Sequence, residues 1–381
     1  MSVTRIVVFL SVATALLSGI HYYLWLRLVR DTGLPPPWRA LATVTLVLLA
    51  LSVPAAMVLT RSYRAGDARA LFFVGYGWMG FMFLLFVGTA ASDLLQLGTS
   101  LASRGPVDDA RRTLLARVLG AGVATIGAVV GTLGAVAAYR PEITRVTVPL
   151  AKLPAHMSGT KIVQLSDIHV GPTIGRAYIE ELVEMVNALS PDIIAITGDL
   201  VDGTVAALAS QVEPLKHLRA KHGVFFVTGN HEYYSGAVAW TAHLATLGIR
   251  VLRNERVAID GIDLAGVDDY RAGGMAVGHR HDPDAALAGR DPSREVILLA
   301  HQPKSLKDAV RHGVGLQLSG HTHGGQIFPW RYLVLLDQPL VDGLHKIAET
   351  WVYVSRGTGY WGPPMRVGAA SEVTEITLVS A

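Results

Sequence analysis

The sequence predicts two differently built parts: four apolar helices crossing a membrane within residues 1–140, and an α/β domain with mixed sheets over residues 144–381. Three observations carry this. The chain is 51% hydrophobic and only 17% charged with mean hydropathy +0.38, values that an ordinary soluble domain does not need. Four charge-free runs of 21, 21, 23 and 22 residues occupy the first part. Beyond Thr144, short β-branched runs alternate with stretches of helical spacing and Gly-rich turns.

The four runs are Ile6 to Leu26, Ala40 to Thr60, Ala70 to Ser92 and Val118 to Tyr139. At about 1.5 Å per residue each spans roughly 30 Å of hydrocarbon. Tyr22, Tyr23 and Trp25 sit near one end of the first run, as interfacial aromatics do, and Pro35, Pro36 and Pro37 separate it from the second. The first run is too long for a signal-peptide core and lacks a small-x-small cleavage site before Arg27, so it reads as retained. In the fourth, Gly127 and Gly131 form a GxxxG spacing, which serves packing inside the bundle before self-association. No carboxylate lies inside a run and Asp93 stands at an edge, which speaks against an ion pathway. An even number of spans puts both chain ends on one side. That side carries Arg5, Arg61, Arg64, Arg69, Arg140, Arg145 and Lys152, against Arg27, Arg30, Arg39, Arg104, Arg111, Arg112 and Arg117, so the positive-inside rule is balanced.

Net charge is +3, but residues 1–140 hold twelve Arg and no Lys against five Asp, net +7, leaving 21 basic and 25 acidic groups beyond, net −4. The basic balance therefore belongs to the membrane part, and a nucleic-acid partner is not expected, a local basic patch aside. With no Cys, disulfides, thiolate zinc sites, iron–sulfur clusters and cysteine nucleophiles are excluded.

In the second part, Thr144 to Leu150, Lys161 to Leu165, Ile193 to Thr197, Val224 to Thr228, Ile262 to Val267, Val296 to Ala300, Leu316 to Leu318, Trp351 to Ser355 and Val373 to Val379 read as strands. Arg176 to Leu189 and Leu208 to Lys221 read as helices. Chemistry-bearing residues follow the strands: Asp167-x-His169, Gly198-Asp199 with Asp202, Gly229-Asn230-His231-Glu232, His301, and Gly320-His321-x-His323. Loops beyond strand ends are where an α/β sheet builds sites. Singly each motif is weak, since Gly-Asp marks turns and a lone His is more often structural. Five in succession are hard to assign to turns. Asp167, Asp199, Asn230, His169, His301, His321 and His323 are seven ligands, too many for one open metal site and suited to two metals sharing a carboxylate. On an extended segment, Asp-x-His and His-x-His would face one side.

This series resembles the signature of the calcineurin-like metallophosphoesterases, and most resembles their membrane-associated bacterial branch, over about Arg145 to Leu378, including Gly357-x-Gly359 and Glu375-Ile376-Thr377-Leu378. The resemblance implies a four-layer α/β/β/α sandwich with its site at one edge of two stacked sheets. By position, Asp167, His169 and His323 would hold the first metal, Asn230, His301 and His321 the second, and Asp199 would bridge them. The implied activity is hydrolysis of a phosphate ester by in-line attack of a metal-bridging hydroxide. In the family the position of His231 contacts the phosphate and protonates the leaving oxygen. Asp202 either orients a ligand or closes a turn. An N/O ligand set suits Mn²⁺, Fe or Zn²⁺, and the resemblance favours Mn²⁺ or Fe.

The motifs specify a phosphate ester and no more. Phe328, Pro329, Trp330, Tyr332, Leu333, Val334, Leu335 and Leu336 form either a core strand or lid, or an apolar wall or lip for a lipid, and a short tether at Arg140 to Thr144 holds the domain near a bilayer. A phosphodiester, lipid-linked, is the leading substrate. A phosphomonoesterase, a nucleotide phosphodiesterase on a soluble substrate and a non-catalytic metal-binding scaffold are the alternatives. The resemblance to exported relatives favours an extracytoplasmic catalytic side.

Overall fold

The structure, a computed structural model, describes residues 3–60, 69–102 and 108–381. Arg61, Arg64 and Arg104, three of the loop charges weighed above, lie outside the described residues. Of the described residues, 3–60, 69–102 and 108–134 form one compact unit and 135–381 form another.

Four helices of the first unit are long and apolar enough to cross a membrane: α1 (Val3–Trp25), continued by a π-helical turn Leu26–Arg30, α2 (Pro36–Thr60), α3 (Arg69–Ala102) and α4 (Asp109–Tyr139). Leu24, Met82 and Leu85 pack at their centre with Trp78, Phe81 and Val123 around them. A Cβ on Gly127 would stand 3.4 Å from Leu85 and Phe81, so this glycine serves contact within the bundle. Helix α3 runs ten residues past Ser92, so Asp93 is inside it. There it accepts hydrogen bonds from Tyr23 at 2.6 Å and from Arg27 at 3.0 Å, whose guanidinium offsets its charge.

The second unit has two six-stranded sheets. Its strands are β1 (Glu142–Leu150), β2 (Lys161–Leu165), β3 (Ile193–Ile196), β4 (Val224–Phe226), β5 (Arg250–Val251), β6 (Glu255–Ile259), β7 (Ile262–Gly266), β8 (Glu295–Leu299), β9 (Leu316–Ser319), β10 (Gly343–Ile347), β11 (Thr350–Val354) and β12 (Glu372–Ser380). One sheet is ordered β1-β12-β2-β3-β4-β5 and the other β10-β11-β9-β8-β7-β6. Strands β2 to β5 are mutually parallel, as are β7, β8, β9 and β11. Helices α5 (Arg176–Ala188), α6 (Val205–Val212), α7 (Asn230–Ser235) and α8 (Ala237–Thr246) follow strands of the first sheet. Helices α9 (Pro283–Leu287), α10 (Leu306–Arg311) and α11 (Arg331–Val334) belong to the second half.

The period-two alternation of strand side chains makes the layers. Ile193 and Ala195 enter the core between the sheets with Leu264, Ile297 and Leu318, while Ile194 and Ile196 enter the core under α5, α6 and α8 with Leu182, Leu208 and Trp240. Val296, Leu298 and Ala300 form a third core with Ala286 and Ala309 of α9 and α10. The result is the α/β/β/α sandwich.

All nine expected strands are present. Strands β5, β6 and β10 escaped the sequence reading: β5 has two residues, while β6 and β10 are edge strands whose exposed faces carry Glu255 and Lys346. The expected helix over Leu208 to Lys221 instead breaks at Val212 into a 3₁₀ turn, Glu213–His217, because Pro214 lacks the N–H that would continue it.

Candidate metal centre

Every site motif follows a parallel strand: Asp167 and His169 follow β2, Asp199 and Asp202 follow β3, Asn230 and His231 follow β4, His301 follows β8, and His321 and His323 follow β9. Parallel strands end at one edge, so the parallel strands of two stacked mixed sheets deliver these loops to one place. Loop bonds knit them there, with the N–H of His169 donating to Asp199 O at 3.1 Å, Asp202 N–H to Val170 O at 2.8 Å and Gly320 N–H to His301 O at 2.9 Å.

The local backbone is not the extended one expected for Asp-x-His and His-x-His. Asp167, His169, Asp199, His321 and His323 have φ of 53°, 55°, 50°, 72° and 53°, the left-handed region that costs a residue with a Cβ about 1 kcal/mol or more. The side chains converge through this turning of the chain. Ile168 between Asp167 and His169 drops into the helix-side core. Crowding adds a second constraint: a Cβ on Gly229 would collide with the Asp199 carboxylate, and one on Gly320 with Ser166 and Asp167.

Among the described residues the expected ligands gather in two clusters, and Asp202 with His169 and His231 makes a third, overlapping group. Nε2 of His323 lies 3.1 Å from Nε2 of His169 and 3.4 Å from Oδ1 of Asp167. Nε2 of His301 lies 3.1 Å from Oδ2 of Asp199 and 3.2 Å from Nδ1 of His321. Oδ2 of Asp199 is 3.9 Å from His169, so this carboxylate stands between the two groups. Asn230 is buried at the same edge, and its Oδ1 has no hydrogen-bond partner among the described residues.

These features fit divalent metals. Nitrogen lone pairs packed against one another and a buried carbonyl oxygen without a donor are costly unless a cation takes them. Outer partners free the inner atoms: His301 Nδ1 donates to Thr197 O at 2.8 Å and His169 Nδ1 meets Asp202 Oδ2 at 3.1 Å, leaving each Nε2 toward the cluster. Burial pushes His321 down to about 3 and His323 to about 4, so both are neutral and able to ligate at neutral pH. Burial works against ionisation of Asp167, yet the facing His323 and His301 hold it well below the usual carboxylate range.

The family "Calcineurin-like phosphoesterase" matches residues 160–325. A Danio rerio "Transmembrane protein with metallophosphoesterase domain" is 37% identical over 99% of this chain and 90% of its own length. The chain belongs to the calcineurin-like metallophosphoesterases. The Bos taurus protein of the same name is 44% identical over 73% of this metallophosphoesterase, which spans 65% of the bovine length. An "Uncharacterized metallophosphoesterase" of Helicobacter pylori is 44% identical over 63% of this chain and 64% of its own, so the likeness extends to bacterial as well as vertebrate proteins. Among solved structures, a Haemophilus influenzae NAD nucleotidase is similar with a TM-score of 0.34 and 17% identity, covering 52% of this chain and 50% of that one. By its family, the domain is a metal-dependent phosphate-ester hydrolase.

Around the ligands this metallophosphoesterase places groups to which the sequence assigned no role. The Glu232 carboxylate is fully buried and accepts from the N–H groups of Gly229, Asp199 and Leu200 at 2.7, 3.0 and 2.8 Å, tying two site loops together. Burial and then the nearby Asp199 raise it to about 8. Arg366, also buried, donates to the carbonyls of His323, Arg356 and Gly359 and so clamps the Gly357-x-Gly359 turn against the His323 loop. Only Glu232 had a sequence signal, its place in the Asn-His-Glu motif; a lone Arg among prolines has none. Tyr234 and Trp361 flank His231 edge-on, with ring centroids at 5.2 and 5.6 Å.

Proposed function

We propose that this protein is a membrane-anchored phosphodiesterase, with residues 1–140 as a four-span anchor and residues 144–381 as the catalytic domain acting on a lipid-linked phosphodiester. Asp167, His169 and His323 would hold one divalent metal, Asn230, His301 and His321 a second, with Asp199 shared between them; Mn²⁺ or Fe suits this ligand set and Zn²⁺ is the alternative. Two such cations supply Lewis acidity, acidifying water and neutralising charge on the phosphoryl oxygens.

The protein's own residues do the rest. His231 Nδ1 is held by Asp202 at 2.5 Å, which leaves Nε2 on the metal side, 4.0 Å from Asp199 Oδ2. There it is placed to donate a proton to the departing ester oxygen. Asp202 fixes the orientation of both His231 and His169 from its two carboxylate oxygens. Glu232 and Arg366 hold the loops that carry the ligands.

The observation that carries the diester reading is the aromatic pair Tyr234 and Trp361. Both are more than half exposed beside His231, and they offer apolar faces to an organic group on the leaving side of the phosphorus. Assaying the purified full chain with Mn²⁺ on a phospholipid diester in mixed micelles, on bis(p-nitrophenyl) phosphate and on p-nitrophenyl phosphate tests it. Faster turnover of the monoester than of either diester would sink the diester reading, and a preference for the soluble diester would sink the lipid. We place the domain on the extracytoplasmic side, in keeping with the exported relatives its motifs resemble; a reporter fused after Ala381 and active only in the cytoplasm would reverse this.

A further inference from the structure

The segment after the His321 and His323 loop is not a core strand. Residues 328 to 336 wrap around the one-turn helix α11 and leave Phe328, Trp330, Tyr332 and Leu333 about half exposed or more and Leu336 83% exposed. The segment is stitched to the loop that carries Trp361. Phe328 N–H donates to Val367 O at 2.9 Å, Trp361 N–H to Gln326 Oε1 at 3.0 Å, and the Gln326 amide back to Trp361 O at 2.9 Å. Trp361 in turn flanks His231. One apolar rim therefore runs from outer surface to catalytic edge. Large apolar side chains held together in water mark a surface meant for another apolar phase.

The last turn of α4 indicates which phase. Residues 135–139 belong to the catalytic unit. Ala138 is fully buried in its helix-side core, its carbonyl accepts from Ser371 Oγ at 3.3 Å, and the Tyr139 ring stands edge-on to Tyr360 with centroids 5.3 Å apart. Tyr360 immediately precedes Trp361. Within the catalytic unit, the residue at which the fourth apolar helix gives way to Arg140 therefore packs on Tyr360, the chain neighbour of Trp361 in the rim. The rim's Trp, Tyr and Phe content, with Arg331 among them, is that of a membrane–water interface.

We propose that residues 328–336 and Trp361 form a lip that inserts into the headgroup region of the lipid bilayer and passes a lipid phosphate ester to the His231 edge. This rests on the phosphoesterase reading of the site. It goes further in assigning an interfacial surface through which substrate reaches the metals without leaving the membrane.

The Cys-free chain permits a direct test. Leu336→Cys in the full protein, labelled with an environment-sensitive fluorophore and placed in phosphatidylcholine–phosphatidylglycerol nanodiscs, is compared with Glu349→Cys, in the β10–β11 turn at the opposite end of the parallel strands from the site. The label at 336 should be blue-shifted and quenched by lipids carrying a shallow nitroxide, and that at 349 should not. In parallel, the double variant Leu333→Glu, Leu336→Glu should lose about tenfold or more in kcat/KM on a nanodisc phosphodiester, with bis(p-nitrophenyl) phosphate hydrolysis within about twofold of wild type. An unquenched label at 336 overturns the lip and leaves the surface to a protein partner. Equal losses on both substrates overturn it as well, since the segment is then part of the site's framework. A quenched label without metal-dependent hydrolysis of either substrate supports the lip and defeats the phosphoesterase reading instead.

Discussion

Oδ1 of Asp202 lies 2.5 Å from Nδ1 of His231, and the other oxygen of the same carboxylate lies 3.1 Å from Nδ1 of His169. One side chain thereby orients both His231, proposed as the acid for the leaving group, and His169, proposed as a metal ligand. Of the two roles open to Asp202 from its spacing, orientation is the one its contacts support. Asp202→Asn should lower turnover by about 10²-fold and weaken metal binding by about 10- to 100-fold. His231→Ala should keep its metal and lose about 10²- to 10⁴-fold on alkyl esters, with a much smaller loss on p-nitrophenyl esters, which need no proton to depart. Metal content by plasma mass spectrometry and kcat against leaving-group pKa separate the two variants. A uniform loss across leaving groups for His231→Ala would remove it as the acid.

Metal removal should abolish hydrolysis and also lower thermal stability. Buried, converging ligands bind cations in the folded state alone, so adding about 100 times the Kd of metal should stabilise the protein by about 2.7 kcal/mol. Differential scanning of the chelated full chain, titrated with Mn²⁺, measures this. No rise in melting temperature would mean that the clusters do not hold metal. Asn230→Ala should reduce the stoichiometry from two ions toward one.

Gly229→Ala isolates the crowding at the site. The added methyl would meet the Asp199 carboxylate and backbone, so a loss of about 1–3 kcal/mol of stability is expected together with loss of the shared ligand position. Denaturant unfolding of the metal-free protein reads the first effect without the second. Stability equal to wild type would show that the loops yield.

Acid should act through Glu372, whose N–H donates to Gly357 O in the turn packed against Asp167 and His323. Burial disfavours its charge, but Arg356 at 2.7 Å and Thr144 at 2.8 Å hold it below the usual carboxylate range. A depressed folded-state pKa means that the ionised form stabilises the fold above the unfolded pKa of about 4.3, and this contribution is lost as pH falls through the folded value. Glu372→Gln should therefore cost about 2 kcal/mol at pH 7 and make stability less steep in pH below about 4.5. Parallel acid dependence of the two proteins in urea titrations would show that Arg356 and Glu372 do not act as a charged pair.

Much of the site was legible because its signals are local. Strand patterns followed at once by Asp167, His169, Asp199, His301, His321 and His323 brought these six together, with Asn230 buried directly after β4. The backbone was not legible: alternation on an extended segment was the simplest way for Asp167 and His169 to face together, whereas the chain uses left-handed residues, a conformation in which Asp and His are enriched but which they do not announce as Gly does. Arg366 and the Tyr234–Trp361 pair were invisible for a related reason, since their partners lie far away along the chain and a lone Arg or Trp has no spacing to read.

By itself, the sequence determined the apolar runs, the strand and helix periods and the supply of oxygen and nitrogen ligands in a chain without thiols, because each is a property of neighbours along the backbone. Tertiary structure decided what depends on residues distant in sequence. It joined Asp202 to two histidines, buried Glu232 under three N–H groups, and left residues 328–336 outside the core although they are as apolar as a strand. The physical reason is that hydropathy measures what a segment gains by leaving water, while only packing decides whether the protein interior or another apolar phase receives it.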